Sequence, residues 1–177
     1  LPKQKRPRPV QVVASSSCFV PKPFTPFQWD AQNTFDEFLQ KAKTVKKQIT
    51  KKQLKYQYHD VKLSFLEGVI ARGDRKVAKA IYRAWQLGCK FDGWNDLFQY
   101  DKWIQAFEET GIDPAFYANR ERSYDEILPW DHISVGVSKQ FLINEREKAI
   151  KEEVTPNCRQ ECSHCGAKCF GRGVCYE

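Results

Sequence analysis

The chain has no methionine among its 177 residues, not even at position 1. Its start is therefore expected to be a processed, excised or cropped end rather than a natural domain boundary. Long hydrophobic runs are missing too. The apolar stretches are short and broken by Lys, Asp or Glu, well below the roughly 20 residues of a membrane-spanning helix. The first residues are Pro- and Lys-rich with no apolar core, so nothing there reads as a secretory signal. Histidine is scarce, with 3 residues. No HExxH pair, Ser-His-Asp set or Gly-rich phosphate loop is present, which removes the common zinc-protease, serine-hydrolase and P-loop readings. No internal repeat is visible, against a solenoid.

What is present is globular material. Hydrophobic residues make up 41% and aromatics 14%, enough to build a core. The net charge of +7 is unevenly placed: residues 1–62 carry 13 Lys+Arg against 4 Asp+Glu, and the remainder is slightly acidic. A basic N-terminal third attracts RNA or an acidic face of another domain; the alternative is a solvated helix face plus a basic tail. Of 7 cysteines, Cys158, Cys162, Cys165, Cys169 and Cys175 crowd into the end of the chain. A secreted disulfide scaffold would spread its cysteines in pairs. Clustering reads instead as reduced thiols holding a metal, in a cytoplasmic protein.

Along the chain, residues 1–9 form a basic, Pro-rich lead-in. Val10 to Ser15 reads as a short buried strand. Phe19 to Trp29 then holds Pro21, Pro23 and Pro26 among Phe19, Phe24, Phe27 and Trp29. Such proline density forbids a helix, while the aromatics pin the loop onto a surface. Thr34 and Glu37 form a capping-box spacing that opens a helix to Ile49. Its apolar face is Phe35, Phe38, Leu39, Ala42, Val45 and Ile49. Leu54 to Leu63 alternates loosely, as a second strand would. Ser64 and Glu67 repeat the capping box and open a short helix ended by Gly73. Asp74 then starts a helix stopped at Gly88, and another runs from Tyr100 to Thr110 with Gly111 as its stop. Asp113-Pro114 opens a further turn, residues 129–137 read as a loop and a short strand, and Ser138 caps a last helix. Two or three short strands make a poor sheet alone. They either pair locally or belong to a larger sheet.

The cysteine run places three residues between Cys158 and Cys162 and two between Cys162 and Cys165, with Gly166, Gly171 and Gly173 permitting tight backbone between thiolates. Five thiols and His164 exceed what four-coordinate zinc uses; zinc and an iron–sulfur cluster both remain compatible with this spacing. The triplet also matches the CxxxCxxC motif of radical S-adenosylmethionine enzymes. In those enzymes it lies near the start of a partial barrel, whereas only a dozen residues follow Cys165 here. It is therefore not read as the catalytic cluster.

Other segments carry a resemblance to the same superfamily. Phe19-Val-Pro-Lys-Pro-Phe24-Thr-Pro-Phe-Gln-Trp29 resembles a segment that follows a late barrel strand in many of its members, with Phe24 where His is usual. Glu67 to Arg75, Gly88 to Trp94 and Ile127 to Ile133 are also similar. Together with the Cys-rich end, residues 10–175 resemble the C-terminal region of an uncharacterised radical S-adenosylmethionine family, the type with an N-terminal cobalamin-binding-like domain. The resemblance implies a chain that completes an upstream barrel, which would bind S-adenosylmethionine and the catalytic cluster. It also implies an auxiliary 4Fe-4S cluster, or another metal, at the terminal cysteines.

The expected architecture is mainly α with two or three short strands. Residues 10–63 would form the C-terminal edge of a partial α/β barrel, 64–153 a helical extension and 154–177 a Cys-rich metal-binding tail. The expected partner is the upstream barrel, with RNA or protein as substrate and no membrane contact. The rival reading is a zinc-clipped helical module that binds RNA or a partner protein through Lys46, Lys47, Lys51 and Lys52. A third is a purely structural cysteine clip. Glu67, Arg72, Asp74 and Arg75 are a candidate polar cluster facing an active site; the alternative is a helix break, with Gly73 and Asp74 as caps. His59-Asp60 and Asp131-His132 read as local hydrogen-bonding pairs or, alternatively, acid–base or ligand groups. Trp85, Trp94, Trp103 and Trp130 are expected to pack, as are Cys18 and Cys89.

Overall fold

A computed structural model of the chain describes residues 10–167 and 171. The first regular unit is strand–helix–strand: β1 (Val12–Ser16), α1 (Phe35–Gln48) and β2 (Leu54–Tyr58). The strands pair in parallel, Val12 opposite Leu54 through Ser16 opposite Tyr58. Parallel neighbours need a crossover rather than a hairpin, and α1 is that crossover. Thr34 caps it as expected: its side chain accepts from the Glu37 N–H, and the Glu37 carboxylate receives the Thr34 N–H in return. The buried-strand expectation is corrected. Both strands are largely exposed, with Val12 and Val13 each 50% accessible, because only this pair forms a sheet among the described residues.

The helical body follows: α2 (Val61–Arg72), α3 (Val77–Gln86), α4 (Tyr100–Thr110), α5 (Pro114–Ala118) and α6 (Lys139–Ile150). Helix α2 starts earlier than Ser64. Asp60 is its cap, accepting from the Leu63 N–H at 2.9 Å, while the Ser64 hydroxyl donates back to the Asp60 carbonyl. The Ser64–Glu67 spacing is thus a coincidence inside a helix. The stop of α4 is as expected, with Gly111 at φ 65°. Asp113 and Ser138 cap α5 and α6. Residues 129–137 form turns, so the third strand is absent among the described residues.

Two apolar clusters hold the body. One joins α2 through α5: Leu66, Val69, Val77, Ala80, Ala84, Trp103, Phe107 and Tyr117. The other brings the Pro-aromatic loop against α6, through Trp29, Leu128, Trp130 and Leu142. Trp29 is fully buried and meets Tyr124 edge-on at 5.1 Å, so the loop is pinned by its aromatics. Polar bonds tie the clusters together. The Arg122 N–H donates to the Trp29 carbonyl at 2.8 Å, and the Gln32 N–H donates to the Ala118 carbonyl at 2.9 Å. Arg146 of α6 clamps Asp30 and Glu121 at 2.8 and 2.9 Å and donates to the Tyr124 hydroxyl at 2.7 Å. Asp30, and after it Tyr124, raise the Arg146 pKa and keep its guanidinium protonated.

Candidate functional site

The thiols are the natural starting point for a site. Cys158, Cys162 and Cys165 are free, the first exposed and the other two half-buried. Cys165 sits between two left-handed residues, His164 at φ 54° and Gly166 at φ 95°. Its carbonyl accepts the Ser138 N–H at 2.9 Å, and its Sγ accepts the Ala167 N–H at 3.5 Å. The tail is therefore fastened to the start of α6 at this point. Among the described residues, no three His, Cys, Asp or Glu side chains converge on one position. Cys169 and Cys175 lie outside the described residues, so the ligand set is only partly in view. As chemistry, unpaired thiols suit a thiophilic metal.

The candidate cluster of Glu67, Arg72, Asp74 and Arg75 is dispersed. Glu67 is exposed and forms an ion pair with Lys22. Arg75 faces solvent. Arg72 turns inward, 0% exposed, and its two Nη atoms donate to the carbonyls of Ala118 and Arg120 at 2.7 and 2.9 Å. Burial pulls its pKa down to about 10. Asp74 accepts the Lys76 N–H at 2.8 Å and the Tyr117 hydroxyl at 3.0 Å. Gly73 ends α2 in extended geometry. The helix-break alternative thus holds for Gly73 as the cap of α2, but not for Asp74 as a helix cap: Lys76 occupies the cap position of α3, and Asp74 organises the turn before it.

Arg72 and Asp74 instead belong to a group that sequence reasoning missed. Arg122 is 4% exposed, and its Nη2 donates to the Arg72 carbonyl at 2.8 Å. Its guanidinium lies 5.4 Å from the Trp130 ring centre. Arg120 forms a two-pronged pair with Glu126, both contacts 2.7 Å, and stacks over Phe116. That pairing holds the Glu126 carboxyl below its ordinary range. Burial and the bond to Asp74 push Tyr117 up to about 12. Of these residues, Asp74, Phe116, Tyr117, Arg120, Arg122 and Glu126 line a cavity of about 400 Å³ with Ile127, Leu128, Pro129 and His132. The only signal in the sequence was the close pair Arg120 and Arg122 after α5.

The remaining candidates fall on the surface. Lys46 and Lys47 occupy the last turn of α1, and Lys51 and Lys52 the turn into β2; all four are exposed. Cations at a helix C-terminus oppose its negative dipole end, which suits this placement with or without a partner. His59 is exposed and Asp60 is spent on the α2 cap. Asp131 accepts the Leu128 N–H, and His132 lies exposed at the cavity edge. Trp103 and Trp130 are buried, but Trp85 and Trp94 are 55% and 70% exposed, against expectation. Val77, Ala80 and Ala84 define the buried stripe of α3, and Trp85 lies off it, stacked on Tyr82 at 5.7 Å. Cys89 is buried, as expected of a small hydrophobe, whereas Cys18 is half-buried. Phe24 holds a φ of 59° and donates its N–H to Gln28 Oε1 at 3.0 Å. No helix is long and apolar enough to cross a membrane among the described residues. The chain matches no family model, no curated protein and no solved structure.

Proposed function

We propose that this chain is the C-terminal part of a radical S-adenosylmethionine iron–sulfur enzyme. It would complete the barrel with β1–α1–β2 and carry an auxiliary metal site on Cys158, Cys162, Cys165, Cys169 and Cys175. The observation that carries this reading is the bare parallel pair. Parallel strands are normally covered on both faces and embedded in larger sheets. Here β1 and β2 expose Val12, Val13, Leu54 and Tyr58 to solvent. Such a pair is incomplete by itself, and further parallel strands from an upstream barrel would bury it. S-adenosylmethionine chemistry would belong to that upstream part. The metal would be held by thiolates of the tail, whose donor set suits iron–sulfur or zinc.

The exposed lysines at Lys46, Lys47, Lys51 and Lys52 favour one second reading, a zinc-clipped module for RNA or a partner protein. Metal analysis with an absorption spectrum on anaerobically prepared protein separates the two. Iron, sulfide and visible absorption that vanish in Cys162→Ser and Cys165→Ser support the auxiliary cluster. Stoichiometric zinc without colour supports the clipped module. Absence of metal in every preparation overturns both.

A further inference from the structure

We infer that the cavity between α5 and the segment 120–132 is a binding pocket for a small organic anion, a carboxylate or a phosphate monoester carrying an apolar body. It is independent of the thiol tail and of the reading above. Two guanidinium groups are buried in this part of the fold. Arg72 and Arg122 are 0% and 4% exposed, and among the described residues neither has a carboxylate within ion-pair distance. Their bonds go to backbone carbonyls: Arg72 to Ala118 and Arg120, Arg122 to Arg72. Carbonyl dipoles satisfy hydrogens but do not neutralise a charge, and an uncompensated buried charge is costly.

The two carboxylates at the cavity are already engaged. Glu126 is matched by Arg120 in a two-pronged pair. Asp74 receives the Tyr117 hydroxyl and the Lys76 N–H. Arg122, in contrast, lines the cavity, while its Nε and Nη1 are sealed from solvent and have no hydrogen-bond partner. A negative charge held in the cavity would supply the compensation that the carbonyl dipoles do not. The walls set the rest of the ligand. Phe116, Ile127, Leu128 and Pro129 surround the polar floor, and Phe116 and Ile127 are exposed at the rim. A volume of about 400 Å³ admits a ring-sized apolar group.

The test is isothermal titration of the 177-residue chain with benzoate, phenyl phosphate and the neutral benzamide. At least one anion is expected to bind, with benzamide weaker by about tenfold or more, the worth of one hydrogen bond to a charged group. Whichever anion binds tighter identifies the carboxylate or the phosphate class. Arg122→Gln and Arg120→Gln are each expected to weaken the anion by about tenfold, with added salt acting in the same direction. Arg122→Gln removes a structural bond as well, so Ile127→Ala, at an exposed rim position, is the companion. It should weaken both anions and leave the fold intact by circular dichroism. Equal binding of benzamide, no binding of either anion, or unchanged affinity in Arg120→Gln and Ile127→Ala overturns the inference.

Discussion

The backbone N–H of Ser138, the cap of α6, donates to the carbonyl of Cys165 at 2.9 Å. One residue later the tail lies so close to the loop that a Cβ on Gly166 would stand 2.7 Å from the Gly136 carbonyl oxygen. The same glycine has φ 95°, which side chains resist. The middle of the cysteine run is thus seated on the start of α6 by one hydrogen bond and one backbone-to-backbone approach.

Gly166→Ala should unseat the tail. Backbone strain of about 1–3 kcal/mol adds to the collision, and both are relieved if the tail moves off. Hydrogen exchange at the Ser138 amide is expected to accelerate while the α2–α5 amides keep their protection. Unchanged exchange at Ser138 would show that the contact contributes nothing.

Arg72 should be irreplaceable even by lysine. Its planar fork spans two carbonyls, and a single ammonium cannot reproduce that geometry. Arg72→Lys and Arg72→Met are each expected to lower stability by about 2–4 kcal/mol, from lost bonds to a charged donor set against relief of its desolvation. Urea unfolding monitored by tryptophan fluorescence measures it.

Gly68 should tolerate no side chain. A Cβ there would lie 2.2 Å from Gln32 Oε1, and Gln32 is itself buried with Nε2 donating to the Ser64 carbonyl at 2.8 Å. Gly68→Ala must displace that amide and should cost about 1–3 kcal/mol. Gly93→Ala, with nothing within 4 Å, is the control and should change stability by less than about 0.5 kcal/mol.

Tyr117 predicts an alkaline limit. Its folded pKa is raised from 10.0 to about 12, so the folded state favours the protonated phenol. The associated stability is complete below pH 10 and is lost as pH rises from 10 to about 12. In Tyr117→Phe this component of alkaline destabilisation should disappear, seen as a smaller drop in Tm across that window. An identical drop in both proteins would remove Tyr117 as its source.

Local signals in the sequence determined the helix ends that rest on neighbouring residues. The capping box of Thr34 and Glu37, the left-handed stop at Gly111, and the caps at Asp113 and Ser138 lie within a few residues of what they cap. Competition between adjacent signals blurred α2, where Asp60 outranked Ser64 because Val61 is buried once the helix begins earlier. The thiol-rich tail and the uneven charge were likewise plain from composition. Tertiary structure alone decided which polar groups are buried and which aromatics are not. Arg72 is inside because α5, some 46 residues away, offers it carbonyls. Arg122 is inside because Trp130 and the end of α2 close over it. Trp94 is outside because no described element covers the loop that carries it. Burial depends on what distant segments bring, and residue type at one position carries no record of that.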